Sequence, residues 1–487
     1  MIGMYKLPLC LLALLPLTAM SQRLLTLDSC RAMALHNNKQ MGIAKTKQDV
    51  AANLRKSART KYLPHVSALG GYMWTSKEVS ILNDDQKSSL SNVGTNMVTG
   101  MQGSLGTYAQ LLPAALQAKL GQDLSQFAGL LNEKGQSIVD AFRTDTRNMY
   151  GGAIMVTQPI FLGGAIVAMN KMADIGEDMV ANSYENKRQL TIYQIDQAYW
   201  QVVSLRHKQK LAESYVNLVK KLDDDVSKMI DEGVATRSEG LSVNVKVNEA
   251  EMTLTKVNDG LVLSKMLLCQ LCGLPIETQV TLADEESDRL EMASLSPQVD
   301  MDQVATLRPE LRMLQNSVDL SKQVTNILKA ANLPQVALTG GYIATNPNAF
   351  NGFEKKLSGF WNIGVLVRVP IWNWGDVRYK VRASKGATAI ANLEYDEARE
   401  KIELQVNQNT FRVSEANKKL AMAQANIERA DENLRTANLG FSEGVISPTT
   451  VMEAQTAWLQ ARSQLIDAEI DVKISQVELQ KALGTLE

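Results

Sequence analysis

Residues 164–232 and 375–442 contain nothing that strongly breaks a helix, and this constrains the chain more than any other feature. At 1.5 Å per residue, a run of about 70 residues makes a helix of about 100 Å, several times the span of a small domain. A helix of that length must pack lengthwise against other helices. In the second run Val413, Ala416, Leu420, Ala423, Ile427, Ala430, Leu434, Ala437 and Phe441 step by 3 and 4. The returning segment continues the frame at Val451, Ala454, Trp458, Ala461, Leu465, Ala468, Val472, Ser475, Leu479 and Ala482. The first half repeats it at Val243, Val247, Ala250, Leu254, Val257, Leu261, Ser264, Leu268 and Leu271. A sustained seven-residue repeat packs helices as a coiled coil, and alanines in the seam let antiparallel backbones approach. An ordinary bundle core explains the apolar face but not the unbroken heptads. A helical hairpin this long is a spacer or the wall of a conduit.

The chain also reads twice. Leu63-Pro64 and Gly70-Gly71-Tyr72 recur as Leu333-Pro334 and Gly340-Gly341-Tyr342. Further on, Pro159-Ile160-Phe161 matches Pro370-Ile371-Trp372, Glu232-Gly233-Val234 matches Glu443-Gly444-Val445, and the segment ending at Gly273 matches the one ending at Gly484. The offset falls between these sets, which places an insertion at residues 75–149 of the first copy. Each copy begins with one shorter helix (about 29–61 and 301–331), continues into a strand pair, and ends in a long helix, a glycine-marked turn and a returning helix. The acidic segment 275–298 between the copies reads as a solvated linker.

The strand segments alternate. Val66, Ala68, Gly70, Tyr72 and Trp74 share one face, as do Val336, Leu338, Gly340 and Tyr342. Ile154 and Val156, then Ile363, Val365, Val367 and Val369, lie on one face of the partner strands, with Asn362 and Arg368 on the other. Tyr72, Trp74, Tyr150, Phe360 and Trp361 gather at one end, and Phe161, Trp372 and Trp374 at the other. Strands of this length, with aromatic belts at both ends, suit a tilted membrane span that is apolar outside and polar inside. Pro64, Pro159, Pro334 and Pro370 stand at helix–strand junctions, where a missing N–H costs no ladder bond. Four strands cannot close a barrel, and open edges are not tolerated in lipid, so the chain is expected to form a ring with copies of itself.

The rest of the sequence agrees with export. Lys6, the apolar run from Leu7 to Leu17 and Ala19-Met20-Ser21 read as a cleaved signal peptide over residues 1–21. Cys10 sits too early to accept a lipid, so no acyl anchor is expected. No later stretch is long and apolar enough for a transmembrane helix. With 51 basic against 52 acidic residues, nothing points to nucleic acid. Cys30, Cys269 and Cys272 are an odd number, which does not suit a disulfide framework, and Cys269-Gln270-Leu271-Cys272 lacks further ligands for a metal. They read best as small buried hydrophobes. His36, His65 and His207 are isolated and no catalytic motif is present, so no enzyme and no cofactor is expected. The 21 methionines are scattered, which suits core filling rather than copper ligation.

Taken in order, Leu27-Asp28-Ser29-Cys30 running to His36-Asn37-Asn38, the Leu-Pro strand entries, Gly233 and Gly444, Gly273-Leu274-Pro275 and Arg308-Pro309-Glu310-Leu311 resemble the TolC-like outer membrane efflux family over nearly the whole chain. The resemblance implies an α+β membrane protein. Its parts are a long antiparallel α-helical coiled-coil barrel and a shared transmembrane β-barrel with four strands per protomer. The first repeat spans 22–274, with 75–149 as an extracellular loop, and the second spans 299–487. The resemblance also implies a homotrimer in the outer membrane of a Gram-negative bacterium, in contact with outer-membrane lipid. A periplasmic adaptor and an inner-membrane transporter of RND, ABC or MFS type would complete a pathway exporting small molecules or proteins. The alternative is a structural periplasmic or surface coiled-coil protein without channel activity.

Residues 231–240 and 442–451 are expected to form the periplasmic tips. Gly233 and Gly444 end the outgoing helices, Ser447 with Pro448 restarts one returning helix, and Thr236 to Ser238 cap the other. By resemblance, adaptors dock at such tips, which makes Gly233, Val234, Thr236, Arg237, Ser238, Glu239, Gly444, Val445 and Ser447 candidates. The family's inward acidic position corresponds to Glu453, where copies would form a cation-attracting ring. A second acidic position corresponds to Thr450. Glu453 also reads as a plain helix-start carboxylate favoured by the helix dipole. An Arg237–Glu239 bridge between hairpins is a further expectation.

Overall fold

In the computed structural model, which describes residues 23–78, 80–109, 113–143, 146–287, 300–348 and 354–486, the elements run in the same order through each half. The first half holds β1 (Arg23–Leu25), α1 (Leu27–Asn37), α2 (Lys39–Arg59), β2 (His65–Trp74), α3 (Asp84–Ser91), α4 (Val93–Ala109), α5 (Ala114–Ala141), β3 (Asn148–Leu162), α6 (Ala165–Asp231) and α7 (Arg237–Cys272). After β4 (Val280–Leu282), the second holds α8 (Met301–Leu307), α9 (Pro309–Ala330), β5 (Gln335–Asn346), β6 (Ser358–Arg368), α10 (Asp376–Ser442) and α11 (Pro448–Leu483). Helices α6 and α10 each run 67 residues without interruption. The signal segment 1–21 lies outside the described residues. Among the described residues no helix is long and apolar enough to cross a membrane.

Two compact units draw on this order. The helical unit takes the described residues within 1–56, 171–324 and 382–487, and the sheet unit those within 57–170 and 325–381. In the helical unit the expected single opening helix is broken in both copies. Asn38 is extended between α1 and α2, and Arg308 is extended between α8 and α9, where Pro309 forbids a continuous helix. Each break meets the C-terminus of a returning helix. Asn38 Nδ2 donates to the Leu271 carbonyl at 3.0 Å, and Arg308 Nη1 donates to the Lys481 and Ala482 carbonyls at 2.9 and 3.0 Å. These carbonyls belong to the final turn, which has no intrahelical donors. Gly273 and Gly484 supply the left-handed C-caps, at φ 73° and 75°. A Cβ on Gly273 would stand 2.6 Å from Asn37 Cβ, so only glycine admits this approach.

The expectation of a solvated linker fails over residues 280–285. Residues 280–282 pair in parallel with β1, burying Val280 and Leu282 against Tyr199 and Leu268. The acidic residues that suggested solvation have partners instead. Tyr199 Oη donates to Asp284 Oδ2, Lys265 Nζ lies 2.9 Å from Glu285, and Lys210 Nζ lies 2.7 Å from Glu286. Residues 288–299 lie outside the described residues.

In the sheet unit the strands pair antiparallel in the order β2-β3-β5-β6. The insertion is mostly helical. Asn83 and Gln86 form a capping box on α3, and α4 and α5 pack at glycine contact, since a Cβ on Gly94 would fall 2.2 Å from the Ala128 carbonyl. Residues 110–112 lie outside the described residues.

Candidate channel wall and hairpin tips

Directly paired residues share a face of an antiparallel sheet, so the register sorts the side chains into two surfaces. One carries Val66, Val156, Gly340 and Ile363 in one row and Ala68, Ile154, Tyr342 and Trp361 in the next. The other carries His65, Thr157, Thr339 and Gly364, then Ser67, Met155, Gly341 and Asn362, then Gly71, Gly151, Thr345 and Ser358. The first surface is mostly apolar; the second is small and polar in these three rows, with an apolar row of Leu69, Ala153, Ile343 and Phe360 between the last two. The apolar surface is uncovered: Ile363 is 69% exposed and Trp361 76%. Phe360 departs from the expected belt, because it pairs with Ile343 on the second surface.

The belt residues turn their polar tips to asparagines. Tyr72 Oη donates to Asn148 Oδ1 at 2.8 Å, and Asn346 Nδ2 donates to Tyr150 Oη at 2.6 Å. From Tyr150 to Phe161 the strand runs about 36 Å at 3.3 Å per residue. At the tilt of membrane strands this spans about 28 Å, close to the height of an outer-membrane apolar band. Beyond β6, Trp372 and Trp374 stack edge to face at 5.7 Å and stand 75% and 85% exposed. Trp374 holds φ at 55°, a conformation that Gly163 takes at the matching turn of the first half. A bulky residue there is strained. Strands β2 and β6 each pair on one side only, so the sheet ends in two open edges.

In the helical unit the seam positions lie inward. Val413, Ala416, Leu420, Ala423, Ile427, Leu434 and Ala437 of α10 are buried, as are Val451, Ala454, Ala461, Ala468, Val472, Leu479 and Ala482 of α11. The hairpins meet along α6: Lys208 Nζ lies 2.6 Å from Asp467 of α11, and Leu218 packs against the cluster of Leu434, Ala437 and Ala454. Trp458 Nε1 donates to Asp431 Oδ1 on α10 at 2.7 Å. Two apolar stripes stay exposed. On α7, Leu241, Val245, Met252 and Leu263 advance by near-whole turns, and on α10 so do Leu393, Leu404, Phe411 and Met422.

Both tips stop in the same way. The amide of Val234 donates to the Met229 carbonyl and that of Gly233 to Ile230, with Gly233 at φ 77°. The amide of Val445 donates to Gly440 and that of Gly444 to Phe441, with Gly444 at φ 74°. This is a Schellman stop, whose left-handed residue favours glycine. Val234 and Val445 point outward at 71% and 82% exposure. Below them Leu222, Val226, Val243 and Val451 pack as one cluster drawing on both hairpins. The starts differ. Thr236 and Glu239 form a full capping box, with Glu239 Oε2 accepting from the Thr236 amide at 2.7 Å and its hydroxyl at 2.8 Å. These bonds hold the Glu239 carboxyl below its ordinary pKa, so its charge is committed to its own helix rather than to an Arg237 bridge. On α11 Ser447 caps the amide of Thr450, Pro448 occupies the first turn, and Glu453 is exposed. Arg237, Ser238 and Thr450 are exposed as well.

Sequence reasoning used Arg308 and Asn38 only as markers and missed their work as clamps on helix ends. A local signal was present for Arg308 alone, which precedes the helix-breaking Pro309.

The family model described as outer membrane efflux protein matches residues 301–485. Outer membrane protein TolC of Vibrio cholerae is 24% identical over 173 residues, which are 35% of this chain and 39% of that protein. The solvent efflux pump outer membrane protein SrpC of Pseudomonas putida is 22% identical over 177 residues, 36% of this chain and 37% of that protein. The chain thus spans under two fifths of the length of these curated relatives. The solved outer-membrane channel OprN superposes with a TM-score of 0.73 at 14% identity, covering 94% of this chain and 90% of that one. The second half thus matches the outer membrane efflux protein family, and nearly the whole length shares the fold of solved outer-membrane channels.

Proposed function

We propose that this chain is the outer-membrane channel subunit of an export pathway, working as a homotrimer. The observation that carries the reading is the two-faced sheet with open edges. An apolar surface through four strands belongs against lipid, and a polar surface against a water-filled lumen. Lipid offers no hydrogen bonds to the free edges of β2 and β6, so the sheet closes on further copies. The exposed stripes on α7 and α10 then meet stripes of neighbouring copies and extend the wall as a helical conduit. The insertion 75–149 emerges from the strand ends bearing Trp74 and Tyr150 and lies outside the cell. Repeats 22–274 and 299–487 each contribute one strand pair and one hairpin to the ring.

The tips are the docking end for a periplasmic adaptor and, through it, an inner-membrane transporter of RND, ABC or MFS type. Gly233, Val234, Gly444 and Val445 form the exposed apolar turns, and Glu453 faces the axis as the acidic ring of the constriction. The relative named for solvent efflux makes small apolar compounds the first cargo to try. The channel needs no cofactor, since it moves solute without chemistry. The test is mass measurement in mild detergent followed by recording in planar bilayers. Three chains and discrete conductance steps are expected; a stable monomer, or an oligomer that never conducts, refutes the reading.

A further inference from the structure

Cys30 and Cys272 come together although 242 residues separate them: Cys272 Sγ lies 3.8 Å from the Cys30 carbonyl, and both side chains are 0% exposed. Each thiol perturbs the other: Cys272 lowers the pKa of Cys30, and Cys30 raises that of Cys272. They sit where α1 meets the last turn of α7, within a core of Ala34, Tyr199, Leu268 and Leu282. The second half makes the same contact with different side chains. Counted from the helix caps, Cys30 is the fourth residue after Thr26, as Val304 is after Asp300. Cys272 precedes the cap Gly273, as Leu483 precedes Gly484. Val304 and Leu483 fill one apolar cluster there. Packing alone is therefore satisfied by a valine and a leucine in one apolar cluster, and the first half places two thiols in their stead.

We propose that Cys30 and Cys272 form a structural disulfide in the exported protein, stapling the start of the first repeat to its end. The inference rests on the export reading, because disulfides persist in the oxidising space beyond the inner membrane and are rare in the cytosol. The odd count that argued against a framework leaves room for one bond and a spare thiol. Cys269 is that spare: its Sγ lies 3.5 Å from the Thr278 carbonyl, and it is buried. The bond forms on the translocated chain before the core closes, with the disulfide of a thiol–disulfide oxidoreductase as oxidant. One cysteine thiolate attacks a carrier sulfur and releases the first carrier thiolate. The second cysteine thiolate attacks the mixed disulfide and releases the other. The two cysteines lose two electrons and two protons, and the carrier leaves as a dithiol.

The test uses full-length protein from purified outer membranes, denatured in N-ethylmaleimide and digested without reductant for mass spectrometry. The expected result is a Cys30–Cys272 linked peptide and one maleimide adduct, at Cys269, with three adducts after reduction. The Cys269→Ser variant keeps the link. Three adducts without reductant, or a link that includes Cys269, overturns the proposal. Fractionation separates the two readings: free thiols in outer-membrane protein overturn the disulfide alone, and free thiols in a chain that stays in the cytosol overturn export with it. A Cys30→Val, Cys272→Leu double variant copies the second half. It is expected to assemble, while losing the drop in oligomer melting temperature that reductant causes in the parent. A parent whose melting does not respond to reductant overturns the staple.

Discussion

Ile363 and Asn362 are neighbours on β6 at the same depth, yet the register sends them to opposite surfaces, paired with Gly340 and Gly341. Arginine at each therefore isolates the surface and holds depth constant. The Ile363 row passes through Val156, about 20 Å along β3 from Tyr150 and about 17 Å from Phe161 at 3.3 Å per residue, so in the proposed barrel it lies near mid-membrane. Arginine facing lipid there costs about 2–4 kcal/mol per chain, and three independent copies cost about 6–12 kcal/mol per ring. Facing the lumen, Asn362→Arg stays solvated and changes stability little. If the sheet were instead a water-exposed surface, Ile363→Arg would fall within about 0.5 kcal/mol of neutral, as most surface changes do. The assay is urea titration of protein refolded into lipid vesicles, read by protease protection and by the heat-dissociable oligomer band. Ile363→Arg is expected to lower the midpoint sharply and Asn362→Arg to leave it nearly unchanged. Equal effects, or the reverse order, refute the assignment of faces.

Arg308 is 5% exposed and binds two carbonyls at the end of α11 as well as Glu310, so Arg308→Ala removes a buried charged partner worth about 3–5 kcal/mol. Hydrogen exchange should quicken first in the last turns of α11; unchanged protection there refutes the clamp. The Glu239 carboxyl is held below its ordinary value of 4.5 chiefly by the Thr236 amide, then by its hydroxyl. A lowered folded pKa makes the cap fully effective above that ordinary value and lost as pH falls through the folded one. Amides at the start of α7 should therefore fray in acid sooner than those of Glu239→Gln, and identical profiles would contradict this. An epitope inserted beside Asn92 is expected to be reached by antibody on intact cells, and reactivity only after outer-membrane rupture refutes the outward insertion. Glu453→Gln is expected to reduce cation selectivity and block by multivalent cations, whereas unchanged single-channel records remove Glu453 from the constriction.

The long helices and their seam were legible because both signals are local: absence of breakers sets the length, and a seven-residue period sets the buried face. Val413 to Ala437 and Val451 to Ala482 needed no tertiary knowledge. The strand faces were legible for the same reason, since alternation has a period of two. The failures are all tertiary. Residues 280–287 carry an acidic composition that suits a solvated linker, but Lys210, Lys265 and Tyr199, distant in sequence, hold Asp284, Glu285 and Glu286 in place. The breaks at Asn38 and Arg308 depend on helix ends more than 170 residues away. Pro309 gave the second break a local sign, and nothing did so for the first. The Cys30–Cys272 contact was likewise beyond a reading that could only count thiols.

The tips show how two copies of one hairpin come to do different things. Their stops are equivalent, bond for bond, so each presents a glycine turn and an outward valine at the same place. In the proposed ring, a partner that reads the stops meets one kind of surface twice in every chain. The starts break that equivalence. Glu239 lies three residues past its cap and is drawn back onto it, which neutralises the first tip's only early carboxylate as a free charge. On α11 the third residue past the cap is Thr450, whose hydroxyl lies 3.2 Å from that of Ser447, and the carboxylate comes three residues later at Glu453. At that distance along the helix Glu453 is beyond the reach of the capping amides, and it is exposed to solvent. The proposed adaptor-bound, cation-selective constriction rests on equivalent stops and on one early carboxylate left uncommitted to a cap. It also predicts that moving the acid to the capping position, by Thr450→Glu with Glu453→Gln, restores a stable helix start without restoring selectivity.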